Sequence, residues 1–333
     1  EAKLTAEDIY HLSRLAFLEY LESGISACFD MYYFPEAMAK AAVDAGFRTV
    51  MCGAVNNFNE SPALLEEYYN TYNNDHPLVS YQLGFHAEYT TNRSIMEAIA
   101  ALAEKYKAPV YMHASETESE VQDCIGRYGM TPTALFEQLG LWNYGGGAFH
   151  SVWVSNEDLN IYKKHGVYAV LNAGSNAKLA SGIAPVEKML QMGIPLAVGT
   201  DGPSSNNALD MFREMFLVTG LGKLHDRDAS AVPAEEVLKM AITGGAKAMG
   251  LTDCDCLAEG KKADLIMIDL NQPNMQPINN PMKNLVYSGS KQNVKMTMIN
   301  GKILYEDQKF FIGVEPKEVY KKANEIITRM RQS

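Results

Sequence analysis

The sequence predicts an α/β fold: a (β/α)8 barrel of the TIM type with its first strand missing, followed by a small β-domain. Three observations carry this. Short β-branched or aromatic runs alternate with longer amphipathic stretches from the first residues to about Leu251, the rhythm of βα units around a parallel sheet. Six of those runs end in a polar residue, namely Asp30, His86, His113, His150, Asn172 and Asp201, and in a closed parallel barrel such ends share the face that carries an active site. Neither GxGxxG nor GxxxxGK[ST] occurs in the chain, so the phosphate loop of a doubly wound open sheet is absent.

In order, the strands are read at Ile25–Asp30, Arg48–Gly53, Val79–His86, Pro109–His113, Gly147–His150, Tyr168–Asn172 and Leu196–Asp201. Helices are read at Pro35–Ala45, Pro62–Asn74, Asn92–Tyr106, Glu116–Arg127, Glu157–His165 and Pro185–Met192, with a long helical region from Ala208 to Met249. The opening helix, Thr5–Glu22, would need a partner strand before residue 1, which is why one strand of eight is counted as missing. After Leu251 strands follow without helices: Asp264–Asp269, Leu285–Tyr287, Val294–Ile299 and Lys302–Tyr305. The Asn300-Gly301 turn between the last two is a hairpin signal, and Pro316–Gln332 reads as a closing helix. The domains are therefore a barrel over 1–251, a small β-domain over 252–312 and a helix over 313–333.

Composition bounds the function. The chain has 333 residues, 47% of them hydrophobic and 21% charged, enough to bury a sizeable core. A formal charge of -11 repels phosphate backbones and anionic lipids, so neither nucleic acid nor a membrane is an expected partner. No apolar run approaches the roughly 20 residues of a spanning helix, and the chain opens without signal-peptide features. Five thinly spread cysteines suit free thiols in a reducing compartment, and the expected location is cytoplasmic.

Three segments could carry chemistry. In HASETESE, His113 ends a strand and Glu116 begins a helix; an imidazole and a carboxylate so spaced can serve as ligand and proton shuttle. The same residues read equally as a packed histidine and a first-turn carboxylate behind an N-cap at Ser115. In GTDGPSSNN, Asp201 could bind a metal and accept a proton, or could simply make an Asx turn. His150 in AFHSVWV and His86 in LGFHAEY read as core histidines unless His113 and Asp201 stand beside them. The Tyr68–Asn74 cluster reads as one exposed helix face, Met38 and Met240 as core filler, Glu118 and Glu120 as solvated charges, and Asn56, Asn57 and Asn59 as a turn.

With HASETESEV, LNAGSNAKLASGIAPVEKMLQMGIPLAVGTDGPSSNNALDMFREM, LAEGKKADLIMIDL and MINGKIL in view, the chain resembles the amidohydrolase superfamily over essentially its whole length. The branch it resembles holds methylthioadenosine/adenosylhomocysteine deaminases, guanine deaminase and triazine hydrolases. The resemblance implies a distorted (β/α)8 barrel with a small β-sandwich. It also implies hydrolytic deamination of an aminated heterocycle, whether purine-like, pterin, pyrimidine or triazine, with one divalent metal ion, Zn or Fe. By position in the motifs, His113 resembles a metal ligand, Glu116 the acid/base, and His150 the histidine facing the attacking water or the developing oxyanion. Asp201 resembles the ligand that takes the water's proton, while His86, Ser175 and Asn176 would contact substrate.

The departures are as informative. The family's first strand ends in His-x-His, and none of the seven histidines here forms such a pair. The reading is therefore of a family member lacking its N-terminal portion, whose metal is weakly bound or absent and whose activity alone is in doubt. A non-catalytic barrel that binds a partner or forms homo-oligomers is the alternative. Leu171 and Ala173 replace a histidine and a proline of close relatives, and Cys52 and the neighbourhood of Ala63 stand where relatives place arginines. Without those guanidinium groups a carboxylate clamp is lacking, which disfavours adenosylhomocysteine as substrate.

Overall fold

A computed structural model describes residues 3–332. Seven parallel strands pair in chain order into one curled sheet: β1 Ala27–Asp30, β2 Arg48–Cys52, β3 Val79–Ala87, β4 Val110–Ala114, β5 Gly146–His150, β6 Val167–Leu171 and β7 Leu196–Val198. All seven coincide with strands read from the sequence, and β1 and β7 are the two edges of the sheet. Every residue of β2 and β5 is buried, as expected of parallel strands covered on both faces.

Helices α1 Ala6–Glu22, α2 Pro35–Ala45, α3 Pro62–Asp75, α4 Arg93–Tyr106, α5 Glu118–Tyr128, α6 Pro132–Gln138 and α7 Asn156–His165 cover the first half. Beyond β6 come α8 Ala173–Leu179, α9 Val186–Met192, α10 Pro203–Asn206, α11 Met211–Asp226, α12 Ala234–Lys239 and α13 Gly245–Ala248. The long helical region expected over 208–249 is broken before Pro233, which lacks the N–H a continuing helix would use. Between α12 and α13 one π-helical turn, Met240–Gly244, brings Gly244 onto β7; a Cβ there would lie 2.2 Å from the Leu196 carbonyl oxygen.

A second, antiparallel sheet holds β8 Leu265–Ile268, β9 Val294–Ile299, β10 Lys302–Glu306 and β11 Lys309–Phe310, in the order β11-β10-β9-β8. Asn300 and Gly301 turn between β9 and β10 with φ of 51° and 77°, the positive pair a tight hairpin requires. The strand expected at Leu285–Tyr287 is instead the end of helix α14, Pro281–Tyr287. Asn280 caps it by accepting from the Lys283 N–H at 3.1 Å, and Pro281 fits its first position; these start signals outweigh a three-residue apolar run. Helix α15, Pro316–Gln332, lies against α1, where Arg329 pairs with Asp8.

One large core lies between the sheet and its helices. A smaller one fills the barrel interior, where Cys52, Tyr111 and Phe149 meet Phe29, Met31 and Val170. The two sheets are joined by a buried ion pair between Arg48 on β2 and Asp264 beside β8. No helix among the described residues is long and apolar enough to cross a membrane.

Candidate active site

Register brings the histidines together. His113 on β4 pairs with Ala87 on β3 and Phe149 on β5, one residue before His150. The rings of His86 and His150 lie 4.8 Å and 5.5 Å from that of His113. Nδ1–H of His113 donates to the His86 carbonyl at 2.7 Å, which leaves its Nε2 with a free lone pair, the arrangement of a ligating imidazole. Burial first, then the neighbouring His150 and His86, push its pKa down to about 3, so His113 is neutral.

His150 is buried and donates Nδ1–H to the Asn176 amide oxygen at 2.7 Å. Its Nε2 stands 3.6 Å from a Glu116 carboxylate oxygen, within ion-pair reach and too long for a hydrogen bond. The other Glu116 oxygen accepts from the Ser181 hydroxyl at 3.1 Å. Glu116 precedes helix α5 rather than opening it. The N-cap is Thr117 and not Ser115, because Ser115 sits in the left-handed region at φ 56°. Glu120, expected as a solvated charge, is 5% exposed. Its two oxygens accept the Ser115 and Glu116 backbone N–H groups, both at 2.8 Å. Buried N–H groups require such partners, so Glu120 pins the turn that presents Glu116.

Asp201 lies three residues past β7 at φ 58° and accepts the Gly202 N–H at 2.7 Å. It is near enough to His113 to favour the imidazole's charged form. Its loop is tied to the SNAKLASG segment through Glu214, which is fully buried. Glu214 accepts from the Gly174 N–H at 2.8 Å and from the Asn206 amide at 2.7 Å, and that amide also donates to the Thr200 carbonyl. The SNAKLASG segment is mostly helix α8. Ser175 on α8 is fully buried, its hydroxyl without a hydrogen-bond partner. His150 and Ser151 also have positive φ. Four non-glycine left-handed residues at the ends of β4, β5 and β7 are a concentration of strain of the kind functional sites hold.

The remaining expectations sort by contact. Asn56 makes an Asx turn, accepting the Phe58 and Asn59 N–H groups. Met38 and Met240 are buried. The Tyr68–Asn74 cluster is not one exposed face: Tyr72 is buried, and Tyr68 and Tyr72 pack on Tyr81 of β3. Sequence reading missed Tyr89, half-exposed beside His86, with ring centroids 6.0 Å apart. Burial, Glu120 and Glu116 raise the Tyr89 pKa to about 12, so its phenol stays neutral. Its turn is locked by the buried Glu88, which pairs with Arg127 on α5. An aromatic three residues past a strand-end histidine is the one sequence signal that could have found it.

For a metal ion the donor set is of the right chemistry and incomplete. His113 Nε2 and the Asp201 carboxylate are suitable donors, but among the described residues no group of three or more His, Cys, Asp or Glu is placed to hold a metal ion. A catalytic zinc site uses three protein ligands.

A model of the amidohydrolase family matches residues 2–304. A 5-methylthioadenosine/S-adenosylhomocysteine deaminase of Dictyoglomus thermophilum is 38% identical over 337 residues, covering 99% of this chain and 79% of the relative. A protein of the same description from Pyrococcus furiosus is 37% identical, covering 95% of this chain and 77% of its own. The crystal structure of an adenosine deaminase from Xanthomonas campestris with bound zinc superposes with a TM-score of 0.94 at 30% identity, covering 99% of this chain and 77% of that one. An atrazine chlorohydrolase of Arthrobacter aurescens, complexed with zinc, shares the fold with a TM-score of 0.90 at 21% identity, over 98% of this chain and 78% of its own.

Proposed function

This chain belongs to the amidohydrolase family, and from that premise we propose that it deaminates an aminated heterocycle at the cluster of His113, Glu116, His150 and Asp201. The observation that carries this reading is the convergence of Glu116 and His150 at 3.6 Å beside a histidine whose Nε2 is free. In the net reaction water adds a hydroxyl to the ring carbon, the C–N bond breaks, and ammonia leaves.

Each of the chain's own groups has a role in that reaction. Glu116, fixed by Ser181 and by the Glu120-pinned turn, moves a proton to a ring nitrogen and onward to the leaving amine. His150, oriented by Asn176, faces the position where negative charge develops. Asp201 accepts a proton from the attacking water. His86, Ser175 and Asn176 contact the substrate. His113 and Asp201 would hold a divalent ion, Zn or Fe, whose chemistry when bound is to make water acidic enough to attack at neutral pH.

Two donors hold such an ion weakly or not at all. That count favours a second reading, in which the chain by itself is a metal-free barrel that binds a partner or self-associates through the unpaired edges of β1 and β7. Among substrates, the names of the relatives put purine amines first. A carboxylate-bearing purine is disfavoured, since Cys52 and the neighbourhood of Ala63 stand where relatives place arginines, which leaves no bidentate clamp there.

The test is elemental analysis after incubation with Zn and removal of excess, beside an Asp201→Ala variant, with ammonia release measured on purine, pterin, pyrimidine and triazine amines. About one metal per chain, lost in the variant, with ammonia from one class, supports the deaminase. Bound metal without ammonia from any class overturns it. No metal and no ammonia sustains the second reading.

A further inference from the structure

Glu214 is the fourth residue of α11 and fully buried, and each of its carboxylate oxygens serves a different side of the cluster. Oε2 accepts the Gly174 N–H at 2.8 Å. Gly174 stands two residues before Asn176, the acceptor that orients His150. Oε1 accepts from the Asn206 amide at 2.7 Å, and the same amide donates to the Thr200 carbonyl at 2.7 Å, one residue before Asp201. The fit on the first side leaves no slack: a Cβ on Gly174 would lie 2.3 Å from Glu214 Oε1 and 2.7 Å from the Asn206 amide oxygen. On the second side, that amide oxygen is buried without a hydrogen-bond partner. Turning the amide over would set its oxygen against the Glu214 and Thr200 oxygens, both acceptors, so one unpaired atom is tolerated to keep two bonds. The helix beneath is anchored: Asp210 caps it by accepting the Phe212 and Arg213 N–H groups, and Phe212, Met215 and Val218 sit in the main core.

We propose that Glu214 is a positioning residue that couples the His150 and Asp201 sides of the cluster, so that neither keeps its geometry when the other is released. The inference rests on the deaminase reading and adds to it the residue that fixes the spacing between the group facing the developing charge and the group taking the water's proton. A carboxylate suits the task because both of its oxygens accept, and both donors, Gly174 and Asn206, are buried and need an acceptor. A glutamine would satisfy one donor and turn an N–H toward the other. The coupling runs through geometry. With the Asn206 donor gone, the carboxylate is held at one oxygen and can rotate, which shifts Gly174 and, two residues on, Asn176. A carboxylate that merely filled two valences would let each side respond alone.

The test uses the full chain with 15N-glycine and 15N-histidine labels and reads two local signals: the exchange rate of the Gly174 amide proton and the tautomer of the neutral His150 ring. Asn206→Ala removes no hydrogen bond made by α8 itself. The expected result is at least about tenfold faster exchange at Gly174, the least that losing a hydrogen bond to a charged group gives, together with a mixture of His150 tautomers. Gly84 in β3 and Gly147 in β5 should keep their rates. In a Glu214→Gln background, where the coupling is already broken, Asn206→Ala should change neither signal further. A Gly174 rate or a His150 tautomer unmoved by Asn206→Ala overturns the coupling. So does an equal acceleration at Gly84 and Gly147, or a further change of the same size in the Glu214→Gln background. None of these signals needs turnover, so their failure leaves the deaminase reading to the ammonia assay.

Discussion

His150 donates its Nδ1–H to Asn176 across 2.7 Å, which turns its Nε2 toward Glu116 at 3.6 Å. One hydrogen bond from α8 thus selects the tautomer presented to the acid/base. Asn176→Ala removes the acceptor and leaves a buried N–H unpaired, a cost of about 1–3 kcal/mol. The expected outcome in 15N NMR of the ring is a single Nδ1–H tautomer for neutral His150 in the wild type and a mixture in the variant. A wild-type ring protonated on Nε2 would refute the assignment.

Glu120 does for Glu116 what Asn176 does for His150. Its carboxylate holds two consecutive backbone N–H groups at a residue with positive φ. Glu120→Ala should lower stability by about 2–4 kcal/mol, two buried donors at ~1–2 kcal/mol each, while Glu120→Gln, which keeps one acceptor oxygen, should lose roughly half of that. Urea unfolding distinguishes them; equal and small losses would mean that the turn holds itself.

The buried Arg48–Asp264 pair is the polar fastening between the two sheets. The side chains of Arg48 and Asp264 are 1% and 2% exposed; Asp264 also accepts the Asn300 N–H at 2.7 Å, and Arg48 donates to the Pro77 carbonyl. Removing one partner strands a buried charge, so Asp264→Ala should cost about 3–5 kcal/mol. The double variant Arg48→Met/Asp264→Leu should recover much of it. A double variant no more stable than the single would place the cost in the lost hydrogen bonds instead of the orphaned charge.

The seven barrel strands were legible because each is a short apolar run between punctuating residues, and period and length do not depend on neighbours far away. Partnership was not legible. Glu120 and Glu214 are spelled like any helix-surface carboxylate, and only the fold shows that backbone N–H groups at Ser115, Glu116 and Gly174 are what they neutralise. Helix α8 hid behind Ser, Asn and Gly, whose local preference is for turns. Its burial against α10 and α11 overrides that preference. Strand ends pointed to His113, His150 and His86, whereas Tyr89 stands past a strand end, where its only mark in the sequence is its spacing of three from His86.

Two partly buried acids give the fold a pH dependence of predictable sign. Glu60, after β2, accepts the Ala54 N–H at 3.1 Å, yet burial dominates and, with Glu36 adding repulsion, lifts its pKa to about 7. Burial lifts Asp30, at the end of β1, to about 6. In the unfolded chain the two titrate near about 4.3 and 3.9. A folded pKa above the unfolded one means that the folded state binds the proton more tightly. The contribution is therefore complete below the unfolded pKa and is lost as pH rises through the folded one. Wild-type stability should fall between pH 4.5 and 7.5 by an amount that Glu60→Gln reduces, with Asp30→Asn reducing the part between pH 4 and 6. The check is the urea midpoint of each variant against wild type at pH 4.5, 6 and 7.5. The Glu60→Gln difference should move in the variant's favour at each step, and a difference that stays flat, or moves toward the wild type, would show that Glu60 is solvated in the folded protein.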